Sequence, residues 1–232
     1  MAEYINIRGQ SIEVVASDPA NPTVGQIWYN STSNTLKGGS FQVAAWASGG
    51  NMGTTRRILA GAGIQTAAVG FGGYSDATAQ SAATEEYNGS TWTSNPTGLN
   101  TARHALAAAG TQTSALGFAG YITPNTAATE EWNGTSWANS NPMNTARNAL
   151  AGCGTQTAAL GFGGSPITAA TESYNGTSWT NDTSMATARQ GLAGAGTQLV
   201  ALAAGGYDTG NTAATEEWNG AGSPTTKTIT VS

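Results

Sequence analysis

The sequence predicts an all-β fold: a propeller of radially arranged, four-stranded antiparallel sheets. Three observations predict it. A segment returns four times at the period of a propeller blade, bulky and bare positions alternate inside each copy, and each copy carries an Asn-Gly turn signal between two short runs.

The repeats begin TTRRILAGAGIQTAAVGFGG at Thr54, TARHALAAAGTQTSALGFAG at Thr101, TARNALAGCGTQTAALGFGG at Thr145 and TARQGLAGAGTQLVALAAGG at Thr187. Their arginines, Arg56, Arg103, Arg147 and Arg189, stand 47, 44 and 42 residues apart. Each copy continues through a variable loop into a second block: TEEYNGSTW from Thr84, TEEWNGTSW from Thr129, TESYNGTSW from Thr171 and TEEWNGAGS from Thr215. A β-sandwich is the alternative all-β architecture, but its strands do not return the same residues at this spacing.

Within a copy, NALAGCG is short and made of small residues, and a Gly/Thr/Gln turn separates it from AALGFGG, which reads as strand A, turn, strand B. Leu160 and Phe162 lie two apart and share one strand face, while Gly161 and Gly163 share the other. TESYNGTSW places an Asn-Gly pair between runs rich in Thr and aromatics and reads as the hairpin of strands C and D. Radial packing accounts for the composition: innermost strands accept mainly Gly and Ala, while larger side chains, including Trp92, Trp137 and Trp179, fill the wedge between sheets. TKTITVS (Thr226 to Ser232) alternates Thr with Ile or Val and reads as a last strand.

The double Gly before a loop, the acidic residue before an aromatic, the Trp further on, and MNTAR (Met143 to Arg147) or MATAR (Met185 to Arg189) together resemble the kelch repeat. The resemblance covers residue 54 to about residue 219. The five-residue step from aromatic to Trp (Tyr87 to Trp92, Trp132 to Trp137, Tyr174 to Trp179) is shorter than usual in kelch blades, a consequence of the tight Asn-Gly turn. Ahead of the repeats, SDPANPTVGQIWYNSTSNTLKG (Ser17 to Gly38) resembles a DPxNPxxGxIWYN stretch of tailed-phage virion proteins, especially tail-fibre-like proteins of marine phages. Trp46 stands six residues before Met52, as Trp137 stands before Met143. The expected organisation is therefore a kelch-like propeller of five blades. Residues 1–50 supply an irregular first blade and an attachment point to the particle, and residues 51–232 supply four regular blades.

Composition excludes several function classes. A formal charge of -5 offers no basic stripe for nucleic acid, and no apolar run is long enough for a membrane helix. The start MAEYINIRG has no signal-peptide pattern. The single His104 and single Cys153, 49 residues apart, do not make a zinc site, and no catalytic triad is visible. His104 reads as a surface polar residue and Cys153 as a small buried one. No cofactor, metal or turnover is expected. The repeated Arg56, Arg103, Arg147 and Arg189 are expected to pair with Glu85, Glu130, Glu172 or Glu216, in the same blade or the next, and to bond loop carbonyls. An enzyme site would break the repeat, so this recurrence reads as architecture.

Specificity is expected at the B–C loops. From the last Gly of strand B to the next Thr-Glu the intervals are 11, 9, 7 and 9 residues, with a different sequence each time. Tyr74, Tyr121 and Tyr207 open three of these loops, with Asp76 and Asp208 nearby, a combination suited to sugar rings. The resemblance implies a non-enzymatic virion protein of a tail fibre, tail tip or capsid surface, assembled in the host cytoplasm and present in many copies. Its implied partners are other virion proteins and a host-surface glycan or protein. A decoration or cement protein with a purely structural role is the alternative.

Overall fold

The computed structural model describes residues 12–39, 46–77 and 79–220, and it divides the chain into two compact units, residues 1–48 and 49–232. All regular structure among the described residues is β. The C-terminal strand expected at Thr226 to Ser232 lies outside them.

The first unit holds β1 (Glu13–Val15), β2 (Ile27–Asn30) and β3 (Thr35–Gly38). β2 and β3 form a hairpin whose turn is closed by Asn30 Oδ1, which accepts from the Thr32 and Ser33 amides, whereas β1 pairs with β2 in parallel. Asp18, at the head of the DPANP stretch, organises this sheet. It accepts from Trp28 Nε1 at 3.0 Å, Asn30 Nδ2 at 2.8 Å and Lys37 Nζ at 2.6 Å. The lysine first, then Asn30 and Trp28, hold its carboxyl well below the usual carboxylate range. The described strands of this sheet pair unlike those of the repeats. A connection containing Pro19 and Pro22 carries the chain back to run β2 alongside β1 in the same direction, so among the described residues of this unit there is no A–B hairpin like those of the repeats. The Trp46 spacing does not carry a packing equivalence either: Trp46 is fully exposed, whereas Trp137 and Trp179 are buried.

The second unit contains the repeats, each folded as a sheet in chain order. The first sheet is β4 (Ala60–Ile64), β5 (Ala67–Phe71), β8 (Thr84–Tyr87) and β9 (Trp92–Asn95), with a short ladder of β6 (Tyr74–Ser75) and β7 (Ala79–Gln80) in its B–C loop. The second is β10 (Ala107–Thr111), β11 (Ser114–Phe118), β12 (Thr129–Trp132) and β13 (Trp137–Ser140). The third is β14 (Ala151–Thr155), β15 (Ala158–Phe162), β16 (Thr171–Tyr174) and β17 (Trp179–Asp182). The fourth shows three strands, β18 (Ala193–Gly196), β19 (Val200–Ala204) and β20 (Thr215–Asn219). All pairings in these sheets are antiparallel. The described residues thus make three four-stranded repeat sheets and one of three strands.

Successive sheets pack face to face. Their first strands run side by side, β4 with β10, β10 with β14 and β14 with β18. The bulky and bare strand faces are what lets them meet. Phe71 of the first sheet lies on Gly117 of the second, where a Cβ would come within 2.8 Å of the ring. Phe118 lies on Gly152, where a Cβ would come within 2.6 Å. Trp137 and Trp179 complete these contacts, with centroids 4.6 Å from Phe71 and 4.8 Å from Phe118. Their indole Nε1 atoms each donate at 2.9 Å to a threonine of the preceding sheet, Thr84 and Thr129. Each fully buried Leu or Phe in these layers contributes about 1.5–3 kcal/mol; Leu116, Leu160, Phe71 and Phe118 are all completely buried.

A second link between sheets was not expected from the sequence. The Gln in the A–B turns of the second, third and fourth sheets reaches back to two carbonyls of the preceding sheet: Gln112 Nε2 to Ala68 O and Tyr87 O, Gln156 Nε2 to Ala115 O and Trp132 O, Gln198 Nε2 to Ala159 O and Tyr174 O. The recurrence of Gln at one position of four turns was the available signal.

Candidate functional site

Two sets of residues present themselves: the repeated Arg–Glu pairs and the variable B–C edge. Each Arg comes from the connection entering a sheet, and each Glu is the second residue of that sheet's third strand. The pairs are Arg56 with Glu85 at 3.1 Å, Arg103 with Glu130 at 2.9 Å, Arg147 with Glu172 at 3.2 Å and Arg189 with Glu216 at 3.1 Å. Partner choice, open in the sequence, is within the same sheet. All four guanidinium side chains are completely buried, and so are the glutamates except Glu216.

The other oxygens and nitrogens of these pairs hold the connection. Glu85 accepts from the Gly53 and Thr54 amides, Glu130 from Asn100 and Thr101, Glu172 from Asn144, and Glu216 from Ala186 and Thr187. The guanidinium groups donate to strand-end carbonyls: Arg56 to Gly72 O, Arg103 to Gly117 O, Arg147 to Ala170 O and Arg189 to Ala214 O. Burial lowers the pKa of Arg56, Arg103 and Arg147, and the paired carboxylates work against that shift. Charge-assisted bonds of this kind lock geometry.

The variable edge is assembled by a backbone device. The residue after each repeated Arg bridges the residue after the Gly-Gly or, in the second repeat, Ala-Gly pair: Arg57 with Tyr74, His104 with Tyr121, Asn148 with Ser165, Gln190 with Tyr207. Reciprocal amide-to-carbonyl bonds of 2.7–3.3 Å hold each pair. Positions that vary between repeats are therefore presented side by side while the backbone beneath them stays the same.

In the first two sheets these side chains form one row. The Arg57 guanidinium lies over the Tyr74 ring at 4.4 Å; Tyr74 meets His104 edge-on at 5.5 Å; His104 meets Tyr121 at 5.3 Å. Gln80 Nε2 of the first loop donates to Ile122 O of the second, and Asn125 Nδ2 of the second to Ser165 O of the third, so adjacent loops support one another. His104 is thus half-buried between two rings. Burial first, and the Arg57 charge second, lower its pKa, and its Nδ1 is buried without a hydrogen-bond partner among the described residues.

The structure brings Tyr74 and Tyr121 together but leaves the other candidates apart. Tyr207 is 43% exposed and outside this ring row. Asp76 is exposed and paired with Arg57 at 3.1 Å. Asp208 Oδ1 closes its own turn by accepting from the Thr209 and Gly210 amides, bonds that lower its pKa, chiefly the one from Thr209. Both carboxylates proposed for sugar hydroxyls thus already hold protein partners. Arg57 and His104 are the edge residues that sequence reasoning did not select.

Among the described residues no group of three or more His, Cys, Asp or Glu side chains could hold a metal ion, and no helix is long and apolar enough to cross a membrane. Cys153 is buried, and burial pushes its thiol up to about 11. A scan against protein-family models finds no match to this chain, and a search of curated proteins finds none either.

Proposed function

We propose that the repeated sheets are blades of a kelch-like β-propeller in a non-enzymatic tailed-phage virion protein, and that its B–C edge contacts the host surface through glycans. The phage reading rests on the resemblance of the segment Ser17 to Gly38, in which Asp18, Trp28 and Asn30 form one bonded cluster. The five-blade count requires a blade from residues 1–50 in addition to the four repeat sheets. The recognition reading rests on one observation: the Arg57–Tyr74–His104–Tyr121 row is carried on a backbone bridge common to all four repeats, while the bridged side chains and the loops that follow them change. A rigid frame with variable side chains along one edge is how binding loops are built. Tyrosine faces and a guanidinium suit stacking against sugars and hydrogen bonding to their hydroxyls.

Each contact would be weak, so attachment depends on many copies in one particle. The test is adsorption to host cells of beads displaying many copies, comparing the wild type with Tyr74→Ala/Tyr121→Ala/Tyr207→Ala. Loss of adsorption in the variant is expected, and equal adsorption rejects this edge. Adsorption by neither favours the capsid or tail decoration protein, whose role is to stabilise the particle.

A further inference from the structure

The interface between successive sheets occurs three times inside the chain, and among the described residues its two halves lack a partner at the ends of the row. From sheets one and two, two and three, and three and four, the following sheet supplies a turn Gln and receives it on two carbonyls of the preceding sheet. In the first two of these contacts it also supplies a fourth-strand Trp to a Thr of the preceding sheet.

The first sheet keeps the donor half. Gln65 is exposed and its side chain makes no hydrogen bond among the described residues. Trp92 Nε1 has no acceptor among them either, and the bare positions Gly61 and Gly70 face a shallow groove with Met52, Leu59 and Trp92. The fourth sheet keeps the acceptor half. Ala201 O and Trp218 O, aligned with the carbonyls that accept from Gln112, Gln156 and Gln198, receive no side-chain amide from a described residue, and Thr215, aligned with Thr84 and Thr129, is exposed. Leu202, aligned with the fully buried Leu116 and Leu160, is 40% exposed beside Val200 at 47%. β18 does not run beside β4 as β10 and β14 run beside their neighbours.

The geometry points to a second copy of this chain as the occupant, docked head to tail with its fourth sheet against the first sheet of the next. The inference is independent of the host-surface reading, and it stands in place of closure of the row by a fifth blade from residues 1–50. Gln65 then bonds Ala201 O and Trp218 O of the neighbouring copy, Trp92 bonds its Thr215, and the contact continues an interface the chain already makes internally. One feature weakens it relative to the internal copies: Ala204 stands where Phe71, Phe118 and Phe162 stand, so the Gly61–Gly70 socket receives a methyl group. The association is accordingly reversible and concentration-dependent. Because the two halves are different surfaces, the contact is heterologous and produces a ring when the rotation closes and a filament when it does not.

Analytical ultracentrifugation of the full chain tests this. The wild type is expected at multiples of its 23.3 kDa mass as concentration rises. Gly61→Arg, at a position where a Cβ meets only Val69 O at 3.3 Å, and Leu202→Arg each block one half and are expected to remain single chains. Their mixture retains one intact contact and is expected to stop at two chains. Should either arginine variant fold poorly by circular dichroism, Gln65→Glu, at an exposed position, replaces it and is expected to weaken association by about tenfold. A wild type that stays at one chain mass at every concentration overturns the proposal, and so do variants that assemble like the wild type. A monomeric wild type whose variants melt lower shows instead that the two faces are covered within one chain, as a fifth blade would cover them.

Discussion

At the scale of single residues, the buried ion pairs decide most. Arg147 is completely buried, with Glu172 at 3.2 Å and Ala170 O at 2.7 Å. Removing one member leaves a charge without water and without its partner, a situation that costs about 3–5 kcal/mol. Arg147→Ala is therefore expected to lose about that much stability in urea unfolding, while Arg57→Ala, at an exposed pair, stays within about 0.5 kcal/mol. His104 gives a pH test. Its pKa is lowered in the folded chain, so the unfolded chain binds the proton more readily and acid favours unfolding. The stability this contributes is complete above the ordinary imidazole pKa and is lost as pH falls through the lowered one. Melting temperature measured against pH should fall more steeply on the acid side for the wild type than for His104→Asn, which carries the residue found at the equivalent position 148. Parallel curves would show that His104 is not held between the tyrosines as described.

At the scale of elements, the stacking of Phe on Gly and Trp is the recurrent unit. Trp137 is 5% exposed, lies 4.6 Å from Phe71 and bonds Thr84 across the sheet junction. Trp137→Ala removes the ring and leaves a gap between two sheets, so thermal unfolding should report a loss of about 3–5 kcal/mol. Among the described residues Trp92 meets no phenylalanine from a preceding sheet, and Trp92→Ala should cost clearly less. Much of this was legible beforehand, because strand alternation is a local property: Leu160 and Phe162 against Gly161 and Gly163 specify one filled and one bare face without knowledge of the partner. Tyr74 and Tyr121 were legible for a similar reason, as first residues of loops that vary. Arg57 and His104 were not, since their place beside the tyrosines depends on a bridge between two separate connections of the chain. Nor was the parallel pairing of β1 with β2, because short alternating runs fix which residues face together but not which strand lies alongside, or in which direction.

At the scale of the whole molecule, the row of sheets behaves as an array whose members are coupled to their neighbours, so the worth of a residue depends on its place in the row. The turn glutamines isolate this effect, since all four occupy the same position of the same A–B turn. Gln112, Gln156 and Gln198 each donate to two carbonyls of the preceding sheet, and losing two such bonds should cost about 1–3 kcal/mol. Gln65 has no preceding repeat sheet and reaches no carbonyl among the described residues, so Gln65→Ala should change stability by no more than about 0.5 kcal/mol. The four alanine variants, melted at a concentration low enough to hold the chain as a single copy, should thus separate into three destabilised proteins and one unchanged. Equal losses in all four would mean that the glutamines act within their own turns and that the inter-sheet bonds carry no weight. A Gln65→Ala loss as large as the others would place a further surface of the same chain against the first sheet.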